Sequence, residues 1–408
     1  MTSVDETSAA TKVEAAVPDH VPPEMVRQFD FHEDPAFMTG RPFEALDAVR
    51  GERIFWSTDN GGHWVLTEAA DIRAVYQAPD TFSSHPVGIP GGQGWPRKLI
   101  PEELDPPEHG KYRQILALPF SPGSIKFMSD GVRQTCVNLV EPLVDRGSCE
   151  FLDDFARPYP TTIFTGILGI PVAESAKFLK WNHDLLHSHN PDTQVAAGGN
   201  IAGYLGQLIE ERTARPTDDL TSLLIGSKVD GRPMTKEEVL DTAFLMFMAG
   251  LDTVTAALSF IFNYLATHDD ARRRLVDDPD LIPPAIEELL RFHAFVNPGR
   301  YLTKDIEFAG VQMKKGDAVL VSTPLSTRDP AEFADPTTVD FERSPNHHIA
   351  FGAGPHRCVG SHLARRELEV ALREWLQRIP DFHLAEGAVI TSHGGGVMGL
   401  ERLPLVWP

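Results

Sequence analysis

The chain has 408 residues, 42% of them hydrophobic, so it can bury the sizeable core of a large soluble enzyme. Its 37 basic and 58 acidic residues leave a formal net charge of −21, which argues against nucleic acid and against anionic membrane surfaces as partners. Three cysteines supply no disulfide framework and suit a reducing, cytoplasmic setting.

Along the chain, residues 1–25 are polar, lack the apolar core of a signal peptide and read as a flexible N-terminal arm. Ile54-Phe55-Trp56-Ser57 and Trp64-Val65-Leu66 flank Asp59-Asn60-Gly61-Gly62 and predict a hairpin. A helix is predicted after Asp105-Pro106-Pro107, with His109 and Arg113 at i and i+4 on one face. Asn190 to Asn200, with Pro191 and Gly198-Gly199, predicts a long flexible loop.

The capping box Thr235-x-x-Glu238 opens a helix that no proline interrupts before His268. About 33 residues at ~1.5 Å each span roughly 50 Å, enough to cross a whole domain. The run Thr242 to Ala266 is apolar enough to suggest a membrane span, but Asp252 stands near its middle. The buried axis of a large protein is the better reading. Gly250 weakens the helix, and the Thr253 hydroxyl can compete for backbone carbonyls. A bulge is therefore expected there, widening a groove for dioxygen and water. Asp252 and Thr253 together suit proton delivery, a carboxylate shuttling protons beside a hydroxyl that positions the reacting oxygen. Further on, Val311-Gln312-Met313 and Ala318-Val319-Leu320-Val321 flank Lys314-Lys315-Gly316-Asp317 and predict a second hairpin.

The most informative stretch is Phe351-Gly352-Ala353-Gly354-Pro355-His356-Arg357-Cys358-Val359-Gly360, followed by a helical run from Ser361 to Ile379. A cysteine at a helix N-terminus with cations nearby is expected to be a thiolate at neutral pH. The glycines leave room for a flat macrocycle. A lone cysteine is more often a core residue, and zinc or iron–sulfur sites need several ligands. Cys136 and Cys149 offer no such spacing, whereas one thiolate suits haem iron.

Phe-x-x-Gly-x-His-x-Cys-x-Gly resembles the haem-binding signature of the cytochromes P450, the haem-thiolate monooxygenases. The resemblance is nearest to the soluble bacterial camphor 5-monooxygenase group. It also takes in Gly250-Leu251-Asp252-Thr253, Glu287-Glu288-Leu289-Leu290-Arg291, His362-Leu363-Ala364-Arg365-Arg366-Glu367 and Leu403-Pro404-Leu405-Val406-Trp407. It implies a mainly α fold with small β-sheets, a helical bundle around a long central helix that encloses haem b, in a single domain over residues 26–408. By the same resemblance Cys358 is the iron ligand, Asp252 and Thr253 are catalytic, and His109, Arg113, Arg300 and His356 hold the haem propionates. Pro298 replaces an aspartate of that group, so the second propionate is expected to be held differently. Glu288, Arg291 and Arg343 match a structural constellation. His183, His187 and His189 fall in the region of the family's entrance lid and read as solvated side chains.

For the substrate, alignment places Gly88, Arg97, Leu99, Leu245, Met248, Ala249, Val296, Gly396 and Val397 against the ligand. Gly88 and Gly396 stand where the camphor group has a phenylalanine and an isoleucine, and Arg97 where it has a ketone-binding tyrosine. The expected ligand is a small apolar terpenoid, monoterpenoid or norisoprenoid, hydroxylated at an unactivated carbon. Nothing in the chain binds nicotinamide or flavin, so the resemblance implies separate partners: a [2Fe-2S] ferredoxin and an NADH-dependent ferredoxin reductase, serving a monomer. Arg73, Arg113, Arg357, Arg365 and Arg366 are expected to form the docking patch. A peroxide-driven peroxygenase and a non-catalytic haem sensor or carrier are the competing readings. Neither needs the Asp252-Thr253 pair.

Overall fold

The computed structural model describes residues 15–91, 97–188 and 190–408. Helices dominate, and the longest, Lys236–Thr267, runs for 32 residues as an unbroken α-helix. It starts where the sequence says it should: the Thr235 hydroxyl accepts from the Glu238 N–H, and the Glu238 carboxylate accepts from the Thr235 N–H. Helices 158–168, 175–187, 191–214, 220–226 and 361–378 pack around it. This explains its apolar composition, for it is the described helix long and apolar enough to cross a membrane, yet protein covers most of it.

The bulge expected at Gly250 is absent. A Cβ added there would lie 2.4 Å from the Phe164 ring, so glycine serves the close approach of the 158–168 helix rather than a distortion of the axis. Phe262 of the central helix, Phe151, Phe155 and Phe382 each meet Trp375 edge-on, and all five are fully buried.

One six-stranded sheet carries, in order, Val26–Arg27, Ile54–Ser57, His63–Leu66, Ala318–Leu320, Gly299–Leu302 and Phe82–Ser83. The expected first hairpin is there, with Trp56 opposite Trp64. The second is not. Val311–Met313 pairs back onto Ile306–Phe308 across Ala309-Gly310, whose φ values of 51° and 85° make a tight turn, while the buried strand Ala318–Leu320 joins the large sheet between Gly299–Leu302 and His63–Leu66.

The loop expected over Asn190 to Asn200 is also corrected, because Pro191–Ala214 is a helix. The Asn190 side chain accepts from the N–H groups of Asp192 and Thr193, and a proline in the first turn is a helix start rather than a break. Ala197, Gly198, Ile201, Leu205, Leu208 and Ile209 give it a buried face.

The loop leading to the cysteine is anchored by a buried ionic knot. Glu288 accepts from Arg291 at 2.7 and 2.8 Å, from Arg343 at 3.1 Å, from the Asp340 N–H at 2.9 Å and from Asn346 at 3.1 Å. Arg291 spends its remaining donors on the carbonyls of Thr327, Pro336 and Thr338. Two side chains one helical turn apart thereby fix the 327–346 segment.

Candidate active site

The cysteine loop folds back on itself through Cys358 N–H to the Phe351 carbonyl at 2.9 Å and Gly352 N–H to the Ile349 carbonyl at 2.8 Å. Gly354 has φ +66°, and a Cβ there would sit 2.3 Å from the Tyr76 carbonyl oxygen, so only glycine lets the loop close against the 69–77 helix. Ser361–Arg378 follows as a helix. Cys358 is exposed to solvent-sized contact yet ringed by protein, as a side chain lining a cleft must be. Its surroundings correct the expected ready-made thiolate: burial pushes the thiol up, and the Gly360 N–H and the charges of Arg113 and Arg357 offset that only partly. Metal coordination is what removes the proton from such a thiol.

Cations and imidazoles gather beside this cysteine. Arg113, on the helix Glu108–Ala117, donates to the Arg357 carbonyl. Arg300 is buried in its strand, donates to the Gly299 carbonyl at 2.7 Å and lies 5.5 Å from the Tyr76 ring centre. The rings of His109 and His356 are 4.1 Å apart, and burial, with the arginines close by, pulls their pKa values down to about 4 and about 3. Among the described residues neither Arg113 nor Arg300 has an ion-pair partner, and both ring nitrogens of His356 are buried without a hydrogen bond.

A carboxylate that sequence reading missed also enters this cluster. Glu102 Oε2 is 4.0 Å from His356 Nδ1, and burial raises the Glu102 carboxyl against the pull of Arg300 and Arg113. The only sequence signal was a second acidic residue ahead of Asp105-Pro106-Pro107. One accessible sulfur, the buried Arg300 and half-buried Arg113 guanidinium groups and an imidazole with no hydrogen bond fit a haem with its two carboxylates.

The central helix carries a stripe that protein leaves uncovered. Leu245, Met248, Gly250, Asp252 and Thr253 are half-buried and Ala249 is exposed, whereas Phe244, Met246, Phe247, Leu251 and Val254 beside them are buried. Apart from Gly250, these positions recur at i, i+3, i+4, i+7 and i+8, one face of a helix, so protein leaves a single stripe bare. Thr253 closes its hydroxyl onto the Ala249 carbonyl at 2.9 Å.

Asp252 Oδ1 lies 3.0 Å from His187 Nε2. Burial works against the Asp252 charge, yet the hydrogen bond from His187, and the charges of His187, His393 and Arg157, hold its pKa below the usual carboxylate value. The solvated role expected for His187 is therefore wrong, since its helix ends with the side chain turned onto the central helix. His183 is exposed as expected, and His189 lies outside the described residues.

The other expected ligand contacts divide. Val296 and Val397 form an isolated antiparallel bridge, with Asn297 N–H on the Gly396 carbonyl at 2.8 Å, so Val296, Gly396 and Val397 come together. A Cβ at Gly396 would meet nothing within 4 Å, and one at Gly88 only the Pro90 carbonyl at 3.7 Å. Arg97 is ion-paired with Asp241 of the central helix. Leu99 is fully buried, its N–H held by Glu103 at 3.0 Å. In the expected docking patch, Arg73, Arg365 and Arg366 are paired with Glu332, Glu287 and Glu369, which leaves Arg113 and Arg357 without acidic partners among the described residues.

Comparisons with known proteins agree with this geometry. The family described as Cytochrome P450 matches residues 193–385. The chain is 38% identical to "Probable cytochrome P450 127A1" of Sinorhizobium fredii, over 96% of this chain and 97% of that one. It is 33% identical to the "Steroid C26-monooxygenase" of Mycolicibacterium smegmatis, over 91% and 94%. The crystal structure of cytochrome P450 CYP101C1 superposes with a TM-score of 0.90 at 34% identity, covering 96% of this chain and all of that one. The fold, the cysteine loop and these relatives together establish that the chain belongs to the cytochrome P450 family, oxidoreductases whose cofactor is haem.

Proposed function

We propose that this P450 inserts one oxygen atom of O2 into an unactivated C–H bond of a small apolar terpenoid, a monoterpenoid or norisoprenoid, using electrons from a [2Fe-2S] ferredoxin and its NADH-dependent reductase. Haem bound through Cys358 supplies the dioxygen activation, which thiolate donation favours. Arg113 and Arg300, with His109 and His356, bind the two carboxylates of the cofactor and set its position. Asp252 moves protons toward the bare stripe, and Thr253 presents its hydroxyl there.

The bare stripe of Leu245, Met248 and Ala249 carries the substrate reading. Its side chains are apolar, and the Val296–Val397 bridge offers a second apolar wall. The unfilled directions at Gly88 and Gly396 favour a ligand somewhat bulkier than camphor. Asp241 neutralises Arg97, so that guanidinium makes no demand for a polar ligand group. A relative is named for steroid C26 rather than for a terpenoid, so the apolar character of the stripe is the guide here. The exposed Arg357 and half-buried Arg113 beside Cys358 suit an acidic ferredoxin, and the reducing, cytoplasmic setting suits a monomer served by soluble partners.

The test begins with the reduced, carbon-monoxide-treated protein, which should show the Soret band of thiolate-ligated haem and lose it in Cys358→Ser. A terpenoid panel should then displace the iron-bound water, giving high-spin spectra with bicyclic and norisoprenoid members. NADH with ferredoxin and reductase should give product, whereas peroxide alone should not. Full spin conversion by camphor at low micromolar concentration would overturn the substrate reading, and efficient peroxide turnover would overturn the electron source.

A further inference from the structure

Three histidines from two distant parts of the chain converge on Asp252. His187 ends the helix Ser175–His187 and holds the Asp252 carboxylate at 3.0 Å, while His183, one turn earlier, has its ring centre 5.5 Å from that of His187. His393, in the two-stranded sheet of Ser392–His393 and Gly399–Leu400, brings its ring centre to 4.8 Å from that of His187. Two adjoining clefts meet at the pair. One is lined by Arg157, His187, Asp252, His393 and Glu401, the other by Arg157, Asn182, His183, His187 and Asp252. His183 is exposed, and the His187 side chain is only 20% exposed, so the row runs from solvent to the central helix.

We propose that His183, His187 and His393 form a proton relay that loads Asp252 from solvent, so that His187 is a positioning and proton-supplying residue of this P450. The proposal rests on the reading of Asp252 as the proton shuttle. The charges in the cluster give it direction. Burial disfavours protonated His187, but the bond and charge of Asp252, together with Glu401, outweigh burial and Arg157, so its pKa is raised. His393 is lowered by burial and by the charge of His187, against Asp252, the Gly394 carbonyl and Glu401. Burial, His187 and Arg157 likewise lower His183, against Glu401 and Asp184.

The 3.0 Å contact makes His187 the group placed to hold a proton beside the Asp252 carboxylate, and the direction of both shifts favours that arrangement. When that proton passes to Asp252, the repulsion on its two neighbours falls, and either imidazole can take a proton from cleft water and pass it on. Each cycle moves one proton from solvent to the carboxylate and leaves every imidazole as it began. A histidine whose pKa is raised above its ordinary 6.5 is loaded below its folded-state pKa and empties as the pH climbs through it. His187 thus sets the alkaline limb of turnover.

The experiment uses holoenzyme reconstituted with ferredoxin and reductase, β-ionone as the probe substrate, and His187→Gln, His393→Gln and Asp252→Asn beside the wild type. NADH oxidation, product per NADH and the solvent deuterium isotope effect are followed between about pH 6 and about pH 9. His187→Gln should run roughly tenfold slower, lose the alkaline limb and show a larger isotope effect, with an intact carbon-monoxide band as the fold control. His393→Gln should shift the limb and slow turnover less. Proton NMR titration of the histidine rings should move one midpoint downward in Asp252→Asn, a readout independent of activity. A His187→Gln enzyme with wild-type pH profile and isotope effect overturns the relay while leaving Asp252 in place. An unimpaired Asp252→Asn enzyme overturns the Asp252 reading and the relay with it.

Discussion

Replacing Glu288 by glutamine tests how much the ionic knot contributes to the platform of the cysteine loop. Both Glu288 and Arg291 have side chains with 0% exposure, and Arg343, the second cation on Glu288, is 11% exposed. Glutamine keeps the shape and one carbonyl acceptor but removes the charge that holds both guanidinium groups. Water cannot reach Arg291, so its charge is left with neutral acceptors alone, the carbonyls of Thr327, Pro336 and Thr338 and the one glutamine oxygen. Breaking one partner of a buried pair typically costs about 3–5 kcal/mol, a large share of the roughly 5–15 kcal/mol that holds a domain together. Arg343→Ala, removing charged hydrogen bonds nearer the surface, should cost about 1.5–3 kcal/mol. Urea unfolding of the holoprotein, read by far-ultraviolet circular dichroism, measures both. Because the 327–346 segment leads directly to Phe351, Glu288→Gln should also release haem earlier than the fold melts. A loss below about 1 kcal/mol with unchanged haem retention would refute the view that the charge, rather than the packing, organises this loop.

Other substitutions probe other parts of the argument. Gly250→Ala gains about 1 kcal/mol of helix propensity, but overpacking against Phe164 costs about 1–3 kcal/mol, so a lower melting temperature is expected; Gly250→Ala with Phe164→Leu should recover it. His63 is fully buried with its pKa lowered by burial to about 4 from 6.5. The native state refuses a proton that the unfolded chain takes, so stability held above 6.5 is lost as the pH falls toward 4. From about pH 7 to about pH 5 this one residue should remove ~2 kcal/mol, and His63→Asn should flatten the urea-midpoint profile over that window. Electron transfer from the proposed ferredoxin should slow on raising salt from about 0.05 to about 0.5 M, by no more than roughly tenfold, because three of the five arginines of the expected docking patch are already paired; stopped-flow reduction under carbon monoxide reads this, and a larger fall would show that those ion pairs open on docking.

What a sequence can disclose is what neighbouring residues decide among themselves. The capping box at Thr235, the alternating hairpin around Asn60 and the glycine-framed Cys358 act over a few positions, so residue type and spacing suffice, and the apolar length of 236–267 already signalled a core axis. The family's motif positions were legible for the same reason. Packing decided the rest. Pro191 and Gly198-Gly199 looked like a loop until the buried face from Ala197 to Ile209 outweighed them, and Val311–Met313 took the partner that the Ala309-Gly310 turn supplied. Gly250 answers to Phe164, which lies far away in sequence, and the cysteine thiol answers to burial more than to its helix. His187, His393 and Glu102 carry no motif, because their chemistry arises from what faces them: Asp252 for the first two, Arg300 and Arg113 for the third. Local covalent order set the elements and the cysteine loop, whereas the electrostatics of the site depend on distances between segments that only the folded chain brings together.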